Sequence, residues 1–202
     1  MFLRILSLLF VLSLVTVPFD LGAQDQKVTY KKARALQTST AKKIVKVVEA
    51  LERVDEEGKE DPDFETVKEI LNELLDKKDS LRSYDRSVMW NYWGYVYFSE
   101  ERFSDAMRAY RNLLAEPEST IPLRVASLYT LAQLNFVNED YEEGVKVLLQ
   151  WMQEVEVITA QGWSLLGQAY FQLGSDKKSE SEKLDYYETV SYTHLRAHET
   201  HE

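Results

Sequence analysis

Apolar residues recur along this chain at intervals of three and four, the period of a helix with one buried face. Ile44, Val47, Val48, Leu51 and Val54 form one such stripe, and Phe64, Val67, Ile70, Leu71 and Leu74 form a second. The acidic "DEEGKEDPD" lies between them and predicts a long turn. Farther on, Trp90, Trp93, Gly94 and Tyr97 fall on one side of a helix at about 100° per residue. After a turn at residues 99–102, Phe103, Ala106, Tyr110, Leu113 and Leu114 make the facing stripe. Strand-like alternation is hard to find. Only 7 Gly and 4 Pro interrupt stretches rich in Ala, Leu, Glu, Lys and Gln, so the pattern predicts an all-α chain of helical hairpins.

The Trp90 group returns twice. Leu128, Leu131, Ala132 and Asn135 lead to Tyr141, Gly144 and Leu148, and Trp163, Leu166, Gly167 and Tyr170 follow with the same internal spacing. Trp90 to Leu128 is 38 residues and Leu128 to Trp163 is 35, a repeat stretched once at the loop from Pro117 to Pro122. Gly or Ala in each stripe leaves room for a second helix to approach closely. These residues resemble the tetratricopeptide repeat, W-x2-L-G-x2-Y followed by A-x3-F and then P, with its period of roughly 34 residues. The resemblance implies an α-solenoid of antiparallel helix hairpins. It covers residues 87–174 well and thins on both sides, with a divergent hairpin upstream. Downstream, Ser179 stands where the family places a small residue, but Lys183 occupies the aromatic or aliphatic position that follows. The last hairpin is therefore expected to be incomplete and the array cut instead of capped, leaving apolar surface exposed after Tyr170.

The two ends read differently from the repeat. Residues 1–4 are a basic start, residues 5–17 are apolar apart from Ser7, Ser13 and Thr16, and residues 21–23 offer a small-residue cleavage site before Gln24. This is the pattern of a secretory signal, and its apolar run falls short of the roughly 18 residues of a spanning helix, the mark of an uncleaved anchor. The chain has no cysteine, hence no lipid attachment site, disulfide framework or thiolate. At the other end, "VSYTHLRAHET" over residues 190–200 resembles the translation of a transposase-based sequencing adapter. His194, His198 and His201, spaced four and three apart, would align on a helix as zinc ligands, but the adapter resemblance accounts for them without a metal site. The expected organisation is a signal peptide over 1–23, N-terminal helices with a divergent repeat over 24–86, tetratricopeptide repeats over 87–189 and a non-native tail over 190–202. The native chain is expected to continue.

Charge narrows the partners. Between Gln24 and Thr189 stand 22 basic and 31 acidic residues, a balance that disfavours nucleic acid and anionic lipid. Seven bases face one acid over residues 24–48, and twelve acids face three bases over residues 49–76, as expected of solvated faces on neighbouring helices. The acidic loop lacks the Asp, Asn and Gly order of an EF-hand and predicts no calcium site. No nucleophile elbow, phosphate loop or metalloprotease motif is present in the sequence. The expectation is a non-enzymatic protein without cofactor.

Binding is what the resemblance implies. In the tetratricopeptide family the first helices of successive hairpins line a groove. The matching positions here are Asn91, Tyr95 and Phe98, then Tyr129, Gln133 and Phe136, then Ser164, Gln168 and Phe171. The three Phe either face that groove or pack against the next repeat. Chaperone-type members clamp a peptide carboxylate with Lys, Arg and Asn, and apart from Asn91 those residue types are missing from these positions. The expectation is a periplasmic or secreted scaffold for a protein or peptide partner, without stable membrane insertion after signal cleavage. The stretches at 87–110 and 128–145 also resemble periplasmic repeat proteins encoded beside TonB and ExbB/ExbD, which implies a partner in energy transduction to outer-membrane transport. The alternative is an N-terminal repeat domain of a larger exported protein with an enzymatic or glycan-binding part.

Overall fold

A computed structural model of the chain describes residues 35–175, 185, 187–192 and 195–196. Its helices include α1 (Thr38–Leu51), α2 (Phe64–Leu75), α3 (Ser83–Ser99), α4 (Phe103–Ala115), α5 (Ile121–Val137), α6 (Tyr141–Glu154) and α7 (Ala160–Ser175), with a 3-10 turn at Lys78–Ser80, and residues 187–192 are helical as well. Among the described residues the only extended pairing is an isolated bridge between Val54 and Glu60. Helices α1 and α2, α3 and α4, and α5 and α6 pair as hairpins, and α2–α3, α4–α5 and α6–α7 contacts stack them in chain order. The chain is all-α and built as a solenoid of hairpins, as its periodicity predicts. No helix among the described residues is long and apolar enough to cross a membrane.

Small residues set the closeness of the hairpins. A Cβ built on Gly94 would lie 2.6 Å from Tyr110 Cζ, so the Tyr110 ring occupies the space that a side chain would need. A Cβ on Gly144 would likewise run into the Phe136 ring, and one on Gly162 would lie 2.5 Å from the Trp151 ring. The cores follow the predicted stripes. Val47, Val67, Leu71, Met89 and Val96 are sealed between α1, α2 and α3. Leu128, Leu134, Leu148 and Leu166 are buried among α5, α6 and α7, and Tyr97 packs against both clusters.

Helices α3 and α5 end in the same way. Arg102 N–H donates to the Tyr97 carbonyl at 2.8 Å and Glu101 N–H to Phe98 at 3.0 Å, while Asp140 and Glu139 donate to Asn135 and Phe136 at 2.9 and 3.1 Å. These paired bonds are a Schellman motif, and they place Glu101 and Glu139 at φ of 58° and 62°, in the left-handed region.

Two expectations need revision or fall elsewhere. Val54 does not continue the first apolar stripe: α1 stops at Leu51, and Val54 is 54% exposed in the turn. The acidic loop closes on itself instead. Asp55 Oδ1 accepts from the Glu57 and Lys59 N–H groups at 2.9 Å, and Arg53 bonds the Asp61 carbonyl at 2.8 Å and the Asp61 and Asp63 carboxylates at 2.7 and 3.2 Å. The signal segment, the hairpin positions Ser179 and Lys183, and His194, His198 and His201 lie outside the described residues.

Candidate protein-binding groove

Helices α3 and α5, which open the two clear hairpins, and α7, which follows them, differ in kind from the second helices α4 and α6. Beyond its first turn α3 carries no Asp, Glu, Lys or Arg from residue 87 to 99; neither does α5 from 125 to 137, nor α7 from 160 to 175. By contrast α4 carries Asp105, Arg108 and Arg111, and α6 carries Glu142, Glu143, Lys146 and Glu154. The second helices bury one stripe and solvate a charged face. Helices α3 and α5 pack on both sides, within their own hairpin and against its predecessor, and α7 packs against α6; the remaining face of the three is aromatic and amide.

On that face Asn91, Tyr95, Tyr129 and Gln133 are half-buried, and Ser164, Gln168 and Phe171 are exposed. Among the described residues, no hydrogen bond engages the side-chain amides of Asn91, Gln133 or Gln168. Each therefore offers one acceptor and two donor hydrogens outward. Tyr95 lies 6.2 Å from the Phe64 ring at the start of α2. Tyr129 lies 5.0 Å from Trp151, and burial raises its hydroxyl pKa above the ordinary tyrosine value. On α7 Ser164, Gln168 and Phe171 line a depression of about 450 Å³ together with Trp163, Gly167, Gln172 and Val190.

The three aligned Phe have unequal surroundings. Phe98 packs 5.9 Å from Phe103, the first residue of α4, and Phe136 stacks 6.2 Å from Tyr141, the first residue of α6. Both rings therefore close their own hairpins. Phe171 is 53% exposed and stacks 5.6 Å from Tyr187. Sequence spacing shows the alignment of the three rings, but the staple depends on the residue five positions later, which the repeat pattern does not weigh.

Two pairs that frame the face were missed at the level of sequence. Arg86 chelates Glu116, and Arg124 chelates Glu154, each across 30 residues. The signal was available: both Arg stand four before the first repeat position, Glu116 caps the second helix α4 and Glu154 ends α6. Buried Asp85 was also missed. Its carboxylate accepts from Gln37 N–H at 2.8 Å and from Arg82 Nε at 3.0 Å, tying the start of α1 to α3.

Stacked hairpins with an uncharged inner face define a helical repeat domain of the protein-binding class. Residues 56–196 match the RNPP family C-terminal domain, and the chain belongs to that family, a tetratricopeptide-like, peptide- and protein-binding helical domain. No curated protein matches the chain.

Proposed function

We propose that the chain is a non-enzymatic scaffold that holds a segment of a partner protein along the face formed by α3, α5 and α7. One observation carries the reading: three successive first helices leave an uncharged face of aromatic rings and unengaged amides, while the second helices carry the charge. Asn91, Tyr95, Tyr129, Gln133, Ser164, Gln168 and Phe171 are the contact residues in this reading, with Phe98 and Phe136 supporting the hairpins beneath. Export to the periplasm is supported by the leader-like residues 1–23, in a family that is normally cytoplasmic. A place beside TonB, ExbB and ExbD is supported by the resemblance of residues 87–110 and 128–145.

Site-specific photo-crosslinking tests the groove. A crosslinking residue at Gln133 or Gln168 is expected to capture a partner polypeptide that the same residue at Arg108 or Lys146, on the second helices, does not. Equal capture from both sets of positions removes the assignment.

A further inference from the structure

A second cleft, about 260 Å³ in volume, lies between the start of α1 and the turn that follows α2. We propose that it binds a phosphate monoester, with the helix start and a lysine holding the phosphoryl group and two leucines receiving the organic part. The site is separate from the groove and does not rest on it.

A helix leaves its first N–H groups without an intrahelical partner and carries partial positive charge there. On α1 no side chain caps the start, and no acid stands in the first turn. The first bond of the helix runs from Ala41 N–H to the Gln37 carbonyl at 2.8 Å, which leaves the N–H groups of Thr38, Ser39 and Thr40 open to an outside acceptor. A second, independent feature points the same way. Thr40 lines the cleft and is fully buried, yet its hydroxyl has no hydrogen-bond partner among the described residues. A sealed hydroxyl without a partner is destabilising unless something supplies one, and an oxyanion seated at the helix start supplies it.

Charge selects an anion. No carboxylate lines the cleft, whereas Lys43 from α1 and Lys77 from the turn after α2 both do. Lys43 is bonded to Glu73, but Lys77 is exposed and has no hydrogen bond or ion pair among the described residues. The Lys43 hydrogen bond, followed by the charges of Lys43, Lys77 and Lys46, holds the Glu73 carboxyl below its ordinary value against the effect of burial, so three ammonium groups gather about one carboxylate. Ser80 donates its hydroxyl hydrogen to the Lys77 carbonyl at 2.7 Å, which leaves the donating to α1 and the lysine. A phosphate monoester presents three terminal oxygens and about two negative charges, where a carboxylate presents two oxygens and one charge. The helix-start N–H groups, the hydroxyls beside them and a facing ammonium match the first of these. Leu74 and Leu81 line the rest of the cleft, and an apolar wall offers a bare ion nothing, so the ligand carries an organic group.

Amide NMR of the isotope-labelled full chain, titrated with phenyl phosphate, inorganic phosphate and benzoate at neutral pH and constant ionic strength, tests this. Saturable shifts centred on Ser39 and Thr40 are expected, with phenyl phosphate the tightest of the three. Ser39→Asp puts an acid where a helix start favours one, so the fold holds while the site is occupied by the chain's own carboxylate; Lys77→Gln removes the exposed ammonium. Each substitution is expected to weaken phenyl phosphate about tenfold. Shifts that grow linearly without saturating mean an adventitious ion only and overturn the proposal, as does unchanged affinity in Ser39→Asp or benzoate binding as tightly as phenyl phosphate. Inorganic phosphate binding as tightly as phenyl phosphate overturns the assignment of a monoester.

Discussion

Arg124 grips Glu154 through two parallel hydrogen bonds, Nε to Oε2 at 3.0 Å and Nη2 to Oε1 at 2.6 Å, while Nη1 reaches back to the Leu114 carbonyl at 3.1 Å in the preceding hairpin. Arg86 repeats the grip on Glu116, while its third bond goes to the Leu81 carbonyl in the linker just before α3. Each guanidinium thus ties the two ends of its hairpin together, and Arg124 also fastens them to the neighbour behind. At the matching position before α7 stands Thr159, whose hydroxyl accepts from Gly162 N–H at 3.3 Å. The clamp therefore sets the spacing of the first two clear hairpins and stops there.

Replacing Arg124→Ala removes two charge-assisted bonds and leaves Glu154, whose side chain is 23% exposed, without its partner. The pair is partly shielded from water, so the expected loss is about 1–2 kcal/mol, above that of an open surface pair. Urea unfolding of Arg124→Ala, Glu154→Ala and the double variant measures it, and the double variant is expected to cost less than the sum.

The same pair gives stability a pH dependence. The Arg124 hydrogen bond, with its charge second, holds the Glu154 carboxyl below the ordinary glutamate value, against the opposing effect of burial; Lys68 does the same for Glu100. A carboxyl depressed in the folded state binds protons more readily when unfolded. Its contribution is complete above the ordinary value of 4.5 and is lost as pH falls through the lower folded value. Unfolding measured from pH 6 downward is expected to show an acid limb that is shallower in Glu154→Gln.

Gly94→Ala places a methyl group 2.6 Å from Tyr110 Cζ, a ring that is 6% exposed and held on all sides. Alanine gains about 1 kcal/mol in helix propensity, but overpacking costs about 1–3 kcal/mol. Net destabilisation is expected, with Tyr110→Leu in the Gly94→Ala background restoring part of it. Thermal unfolding of the three variants gives the sign.

Glu101 and Glu139 pay for left-handed backbone with a side chain that gains nothing from it. Glu101→Gly and Glu139→Gly remove that strain at the Schellman position and are each expected to stabilise the chain by about 1 kcal/mol. Denaturant midpoints that fall in both variants contradict this account of the α3 and α5 termini.

Much of the architecture is visible in the sequence because the stripe through Trp93, Gly94 and Tyr97 has one spacing and one purpose. Gly94 reads as a close approach and is one, against Tyr110. Val54 misleads because periodicity alone does not register the turn chemistry of Asp55 and Gly58, which ends the helix early and closes a loop. The groove positions are legible from helix geometry, but the separate roles of the aligned Phe are not. Phe98 and Phe136 meet Phe103 and Tyr141 five residues on, whereas the residue five beyond Phe171 is Asp176. The Arg–Glu clamps escaped because charged residues on helix faces are usually solvated, and only three dimensions bring partners 30 residues apart together.

The most direct test of the groove replaces its amides with an apolar group of similar size. For a synthetic peptide of the partner segment captured by photo-crosslinking, Gln133→Leu combined with Gln168→Leu keeps the bulk of both side chains and removes their donors and acceptors. Isothermal titration of that peptide is expected to show roughly 10- to 100-fold weaker binding to the double variant, the loss of about one hydrogen-bonding residue's worth of affinity at each site. Unchanged affinity in a variant that folds normally would contradict the account.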